Sequence, residues 1–544
     1  MAGTLSASPV PPAPCLALKG QLVSLQTQHK KLVLSYEATP SAKNQKLAAE
    51  IMVLDKKISE TAAQLDSCEN GPPLSVAAFT AKGIRSPDPQ IAVGHKYFAA
   101  IDTSTVVFYD KATMQPLSTG FAYPQNPIGV SQLFQQFFVK LDKQMGLPAN
   151  VCDSNQPQKN LTNTFDPAQP NKAIPGCIAE AYDTRILYDD VRHRFWIESA
   201  VRNSLWPCGA GAETETSSDP DPSDPTQAKC HADWNASWAH RFIVIAVSQV
   251  DDKGEEDLSK PFHQYVLVDD YADWPQMTVD SNYLIVPPLA TLAYSQFQAI
   301  EGATPIQPTD SIYLVNSHGA SNHPTYMVSS NGNRLLIFAL RPSANIFGKP
   351  VLLKGAGINL GHLVHLRTNP VFRDGKIHIA SFECTHQDAK KGCTKYISRI
   401  IRVLVSLTID GSAIKALGPG SSGFLDYAIG NGPGDLWSYE IPSIEVNAAN
   451  DIVVVYERAG RDQTQLEPTS VLYSVLYNGE SVISAGAFLK VYAGAEIPLD
   501  PALPAVVDLG GIALDPSDNG LTVWMSHAYS NQGLYREVLG AVKP

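Results

Sequence analysis

Seven times after residue 84 the chain repeats one short pattern: a polar or charged residue, usually a proline, an apolar strand, a tight turn, and a second, more hydrophobic strand. Three copies read Asp88-Pro-Gln-Ile-Ala-Val-Gly with Tyr97-Phe-Ala-Ala-Ile, Asp183-Thr-Arg-Ile-Leu-Tyr with Phe195-Trp-Ile, and Trp274-Pro-Gln-Met-Thr-Val with Tyr283-Leu-Ile-Val. Three later ones are Asn369-Pro-Val-Phe with Lys376-Ile-His-Ile-Ala, Ile441-Pro-Ser-Ile-Glu-Val with Asp451-Ile-Val-Val-Val-Tyr, and Gly511-Ile-Ala-Leu with Leu521-Thr-Val-Trp-Met. A weaker copy, Pro324-Thr-Tyr-Met-Val with Arg334-Leu-Leu-Ile-Phe, fills the gap between the third and fourth. Each hairpin leaves apolar faces that only its neighbours can cover, so the period predicts an all-β fold, a β-propeller. Without the long insertions, residues 73 to 544 leave units of roughly 45 to 50 residues. That length gives seven blades, or six if the copy at 324 belongs to its predecessor.

The composition suits a large core, with 44% hydrophobic and 17% charged residues. A formal net charge of -12, with no long basic run, argues against nucleic acid or an anionic membrane surface as partner. No stretch approaches the roughly 18 to 20 apolar residues of a spanning helix. The first 14 residues lack the pattern of a signal peptide and, being Pro- and Ser-rich, read as a disordered tail. Eight cysteines fall into four local couples: Cys15 with Cys68, Cys152 with Cys177, Cys208 with Cys230, and Cys384 with Cys393. Their even number and spacing predict disulfides, hence a secreted, periplasmic or extracellular location. Asn160-Leu-Thr and Asn235-Ala-Ser match glycosylation acceptor patterns.

Between residues 15 and 68 the apolar period lengthens to that of a helix. Leu18, Leu22, Leu25 and Leu32 mark one arm, and Leu47, Ile51, Leu54, Ile58, Ala62 and Leu65 the other. The break at Thr39-Pro40-Ser41 predicts an antiparallel helical hairpin, serving as a spacer or flap or as an oligomerisation surface. Residues 69–73 form the linker. Residues 74–82 read as a strand without a hairpin partner, predicted to complete the last blade and close residues 74–544 into one propeller.

In a propeller the residues just before each first strand meet at one mouth of the axial channel. Here they include Arg85, Asp88, Gln90, Asp183, Arg185, Asp273, Trp274, Gln276, His365, Arg367, Asn369, Tyr439, Glu440 and Asp508. Most long insertions, at 121–182, 203–239, 289–310 and 384–395, fall in loops predicted to open on that same side. Trp206, Trp234, Trp238 and Trp274 suit sugar stacking there or ordinary packing. Carboxylates at the mouth are also of the type that calcium takes. His378, Cys384, His386 and Cys393 include zinc ligand types, but a disulfide-closed loop is the preferred reading in an oxidising compartment. His362 and His365 could reach the mouth as a base or ligand pair. No Walker loop or Gly-x-Ser-x-Gly elbow is present. Gly430-x-Gly432-x-Gly434 lacks the following helix that dinucleotide binding needs.

The Asp88-Pro-Gln-Ile-Ala-Val-Gly opening and its echoes resemble secreted bacterial β-propeller proteins of the sialidase-like and YVTN-like kind, over roughly residues 73 to 544. Arg85, in Gly-Ile-Arg-Ser-Pro, looks like the segment that opens the first sialidase blade, where three arginines clamp a carboxylate. The resemblance implies that Arg185 and Arg367 supply the other two. It further implies Tyr439 as nucleophile, Glu440 as its base, and Asp88 or Asp183 as acid. Trp274, Gln276 and His365, by their place at the mouth, are expected to line the substrate site. The chain departs from the sialidase turn signature: its one imperfect match, Ser517-Asp-Asn-Gly-Leu-Thr-Val-Trp, lies between first and second strands. Adjacent Tyr439 and Glu440 also point to opposite sides of an extended strand. The function expected is a glycoside hydrolase or polysaccharide lyase acting on an acidic glycan; the alternative is a non-catalytic glycan- or protein-binding adhesion module.

Overall fold

The computed structural model describes residues 74–76, 80–81, 89–101, 105–123, 126–133, 180–202, 241–268, 277–279, 284–285, 313–318, 324–341, 351–388, 392–430, 437–460, 470–477, 487–490, 510–531 and 534–544, with single positions between 21 and 61. Those single positions are helical. The pairing of two such helices, and every predicted cysteine couple except the last, lie outside the described residues. The rest is almost wholly β, built as several antiparallel sheets. The chain divides into two compact units, residues 90–307, and residues 308–544 together with the first 89.

In the unit of residues 90–307 the first sheet runs Gln90–Val93, Tyr97–Ile101, Thr105–Asp110 and Gln115–Pro116, with Ile128–Gly129 also on the third strand. The second runs Glu180–Asp189, Arg194–Arg202, Arg241–Val247 and His263–Val268. A small ribbon, Gln249–Val250 with Glu256–Asp257, branches from it, and Thr278–Val279 with Leu284–Ile285 forms a third pair. The first two sheets share one core. Phe108 meets Phe195 and Phe262 edge-on at 5.6 and 5.7 Å, and Ile101, Val106, Ile197, Val244 and Ala246 surround them.

In the other unit the fourth sheet is Tyr313–Leu314, Thr325–Asn331, Arg334–Arg341 and Val351–Asn359. The weak copy at 324 therefore has a sheet of its own instead of extending the preceding pair. The fifth sheet holds Val371–Arg373, Lys376–Asp388 and Gly392–Leu407, the last flanked by both Ile414–Leu417 and Leu425–Ile429. The sixth is Trp437–Val446, Ile452–Gly460, Ser470–Leu476 and Ala487–Lys490. Val453 and Val455 pack toward the seventh sheet while Val454 and Tyr456 pack toward the fifth. Burial on both faces explains why this strand reads as a continuous apolar run.

Consecutive sheets are stitched along their first strands. The Tyr313 hydroxyl donates to the Leu366 carbonyl at 2.7 Å, Thr368 to that of Pro442 at 3.0 Å, and Ser443 to that of Gly510 at 2.8 Å. Residues 313–318 act as a strap. Tyr313 and Leu314 pair antiparallel with the fourth sheet, Asn316 and Ser317 pair parallel with Val371–Arg373 of the fifth, and His318 lies 3.1 Å from Glu445 of the sixth.

The seventh sheet joins Gly511–Leu514, Val523–Asn531 and Leu534–Val542 to Leu74–Val76, with Thr80–Ala81 also on the last of these. The expectation that residues near 74 to 82 complete the final sheet thus holds. Deleting residues 1–82 uncovers an edge that deleting 1–72 does not. The longer deletion is expected to melt several degrees lower and to scatter more light on heating. Identical melting of the two truncations would show that the added strand contributes nothing.

Candidate functional site

The predicted Arg85, Asp88, Trp274 and Gln276 lie outside the described residues. Of the others, His365 and Arg367 are half-buried on the approach to Val371–Arg373. The His365 backbone exchanges hydrogen bonds with Phe382, and its ring packs on that phenyl at 5.8 Å. The half-buried Tyr439 packs its ring against Gly430 and, at 5.9 Å, against Tyr456. A side chain at Gly430, whose φ is 84°, would collide with that ring.

Glu440 sits directly across from Glu457 in the sixth sheet, immediately before the bulge that spans Ile441 and Pro442. Directly opposed positions share one face of a sheet, with Cβ atoms about 4.5–5.5 Å apart. Both glutamates are buried, at 3% and 2% exposure. From the seventh sheet, fully buried His527 brings Nδ1 to 3.3 Å of Glu457, while its Nε2 lies 3.0 Å from the Ile441 carbonyl. Beside it Ser526 hydrogen-bonds Glu537. Sequence reasoning found Glu440 but missed Glu457 and His527. The signal was there: Tyr456-Glu457-Arg458 ends an apolar run with charge where burial continues.

A second polar cluster lies in the fifth sheet. Arg399 holds Glu383 through Nε at 2.9 Å and Nη2 at 2.7 Å, and Asp426 through Nη1 at 2.9 Å. His362 lies 2.7 Å from the other Asp426 oxygen and 3.5 Å from Glu383. Burial alone would lower the His362 imidazole, but its bonds to Asp426 and to the Leu363 carbonyl leave it raised. Burial would likewise raise Asp426, yet His362 and Arg399 hold it below the usual carboxylate range. The arginine already pairs with two carboxylates, so this cluster suits bracing three strands and a loop better than clamping a ligand.

In the same sheet the long hairpin at 384–395 is closed by the disulfide Cys384–Cys393, with Cα atoms 5.8 Å apart. The two sulfurs are thereby withdrawn from any zinc site. His378 is buried and pushed down to about 3, first by that burial and then by Arg402, Lys376 and Arg373. The Ser517 to Trp524 segment forms a turn between first and second strands. Asp518 accepts from Leu521 and Thr522, and the Trp524 indole donates to Asp515 at 3.0 Å.

In the unit of residues 90–307, Asp183 has a left-handed φ of 49° within a bulge between Tyr182 and Arg185. The bulge sets buried Arg185 directly across from Glu198. Neither Glu198 oxygen has a hydrogen-bond partner among the described residues. Burial pushes this carboxyl up to about 8, and Arg185 pulls it back only in part. A carboxyl that keeps its proton at neutral pH has the form a general acid needs. Its sequence signal was one acid in the apolar run Phe195-Trp-Ile-Glu198.

No protein-family model and no curated protein matches the chain. Among solved structures it is similar to a mannose phosphorylase from Leishmania mexicana at 9% identity and a TM-score of 0.27, covering 70% of this chain and 86% of that one. It is also similar to a polysaccharide lyase, at 9% identity and a TM-score of 0.28 over 86% of this chain and 92% of that one. An endo-1,5-α-L-arabinanase from Thermotoga petrophila matches at 11% identity and a TM-score of 0.28, over 86% of this chain and 100% of that one. Likenesses this distant carry neither an arrangement of sheets nor an activity over to this chain.

Proposed function

We propose that the chain is a secreted carbohydrate-active β-propeller that cleaves an acidic glycan, with Glu440 and Glu457 as its acid and base pair. The observation that carries this reading is the pairing itself: two buried carboxyls at directly opposed strand positions, one of them against a histidine. Glycoside cleavage needs two carboxyl groups, one to protonate the leaving oxygen and one to attack the sugar or activate water. Like charges so placed repel. A proton shared by such a pair would give the unequal protonation the reaction requires. The disulfide Cys384–Cys393 fits an oxidising compartment.

Near-complete burial of the pair is also what a non-catalytic polar core displays, which favours a glycan- or protein-binding module as the second reading. A turnover screen against neutral, uronate-containing and sialylated glycans, with and without calcium, separates the two. Reducing ends or unsaturated uronate products from acidic glycans support cleavage and distinguish hydrolase from lyase. Binding without product across the panel supports the module and removes the catalytic assignment.

A further inference from the structure

A group of metal-ligand side chains lies apart from both polar clusters, within the unit of residues 90–307. The turn between the first two strands of the first sheet carries His95, and the corresponding turn of the second sheet carries Asp190 and His193. One ligand-type atom from each falls within 4.8 Å of the others. His95 Nε2 lies 3.0 Å from Asp190 Oδ1, and the two imidazoles meet edge-on with centroids 4.9 Å apart.

Two further features organise these side chains as ligands. His193 Nδ1 lies 3.0 Å from the Gly254 carbonyl oxygen. A carbonyl can only accept, so that nitrogen carries the hydrogen and the remaining one, Nε2, keeps its lone pair for a metal. The backbone carbonyl on the non-ligating nitrogen is the arrangement that fixes ring and tautomer around metal sites. His95 is held through its backbone: the N–H groups of His95, Lys96 and Tyr97 all donate to the buried Glu256 carboxylate. Gly94 makes that seat possible, because a side chain there would overlap both Glu256 and the Tyr188 ring.

We propose that His95, Asp190 and His193 bind a divalent first-row cation of the zinc type, which cross-links the two turns. Two imidazoles and a carboxylate suit zinc better than calcium or magnesium, which favour all-oxygen sets. Three protein ligands leave one position for water. Asp190 is 65% exposed, so the ion is reached from solvent. Its role is to brace one sheet against the next.

The test uses the full chain, stripped with chelator and titrated with zinc chloride by calorimetry. Visible absorption after cobalt substitution provides the second readout. One equivalent of zinc and a tetrahedral cobalt spectrum are expected. His193→Ala and His95→Ala should each weaken zinc at least tenfold and remove the cobalt band, while exposed His386→Ala changes neither. Asp190→Ala alters an exposed side chain, so its loss of affinity in a chain that melts normally without metal separates ligation from misfolding. No saturable zinc uptake by the unaltered chain, or an unchanged affinity in His193→Ala, overturns the proposal.

Discussion

Glu457→Gln is expected to lower kcat on the best glycan substrate by about a hundred- to ten-thousand-fold while moving KM only a few-fold. The amide keeps the shape of the carboxyl and removes its capacity to take up, release or share a proton. An interaction used in the transition state is lost from kcat, whereas one used only for binding appears in KM. Glu440→Gln should lose a comparable amount, and the double variant should lose much less than the product of the two, because groups acting as a unit are not additive. His527→Gln should fall between wild type and either glutamate variant, since it touches Glu457 and no substrate atom is required of it. Steady-state kinetics, with circular dichroism to confirm folding, decide the matter. A Glu457→Gln enzyme that keeps more than half of wild-type kcat removes the pair from the mechanism.

The second large effect concerns stability. The Glu198 carboxyl is raised from 4.5 in the unfolded chain to about 8 in the folded one, chiefly by burial. Between those values the folded state holds a proton that the unfolded state has released. Glu198 therefore contributes stability that is complete below about pH 4.5 and is lost as the pH rises through 8. At about 1.4 kcal/mol per pH unit, the loss is on the order of 5 kcal/mol. Glu198→Gln cannot ionise and should flatten this slope, melting above wild type at pH 8.5 and close to it at pH 5. Denaturant or thermal midpoints for both proteins across that range provide the comparison. Parallel curves would mean that Glu198 does not carry the pH dependence.

The hairpins were legible in the sequence because what makes them is local. Tyr97–Ile101 and the first five residues of Ile452–Gly460 follow turn residues and run apolar. The strap could not be read, since Asn316–Ser317 is two polar residues paired with a strand more than fifty positions later. Its existence depends on where the fifth sheet lies. The polar sites divide in the same way. Glu440 was visible as one of a set preceding the first strands, but its partnership with Glu457 depends on register and that with His527 on the packing of two sheets. Arg399, Glu383, Asp426 and His362 come together only through a strand that pairs with two different neighbours on its outer edge. His95 stands in one turn and Asp190 and His193 in another, and no spacing in one dimension connects positions 95 and 193.

The seventh sheet also sets the order in which the protein can be finished. Leu74–Val76 finds its partners at Leu539 to Ala541, close to the last residue. At about 5–20 residues per second, a ribosome needs roughly 25 to 90 s to make the chain between them. For that interval the early strand has no native edge to join, while the hairpins between can already form. The early strand is therefore placed after the hairpins between, and a growing chain must keep it from pairing elsewhere until Leu539 to Ala541 have been made.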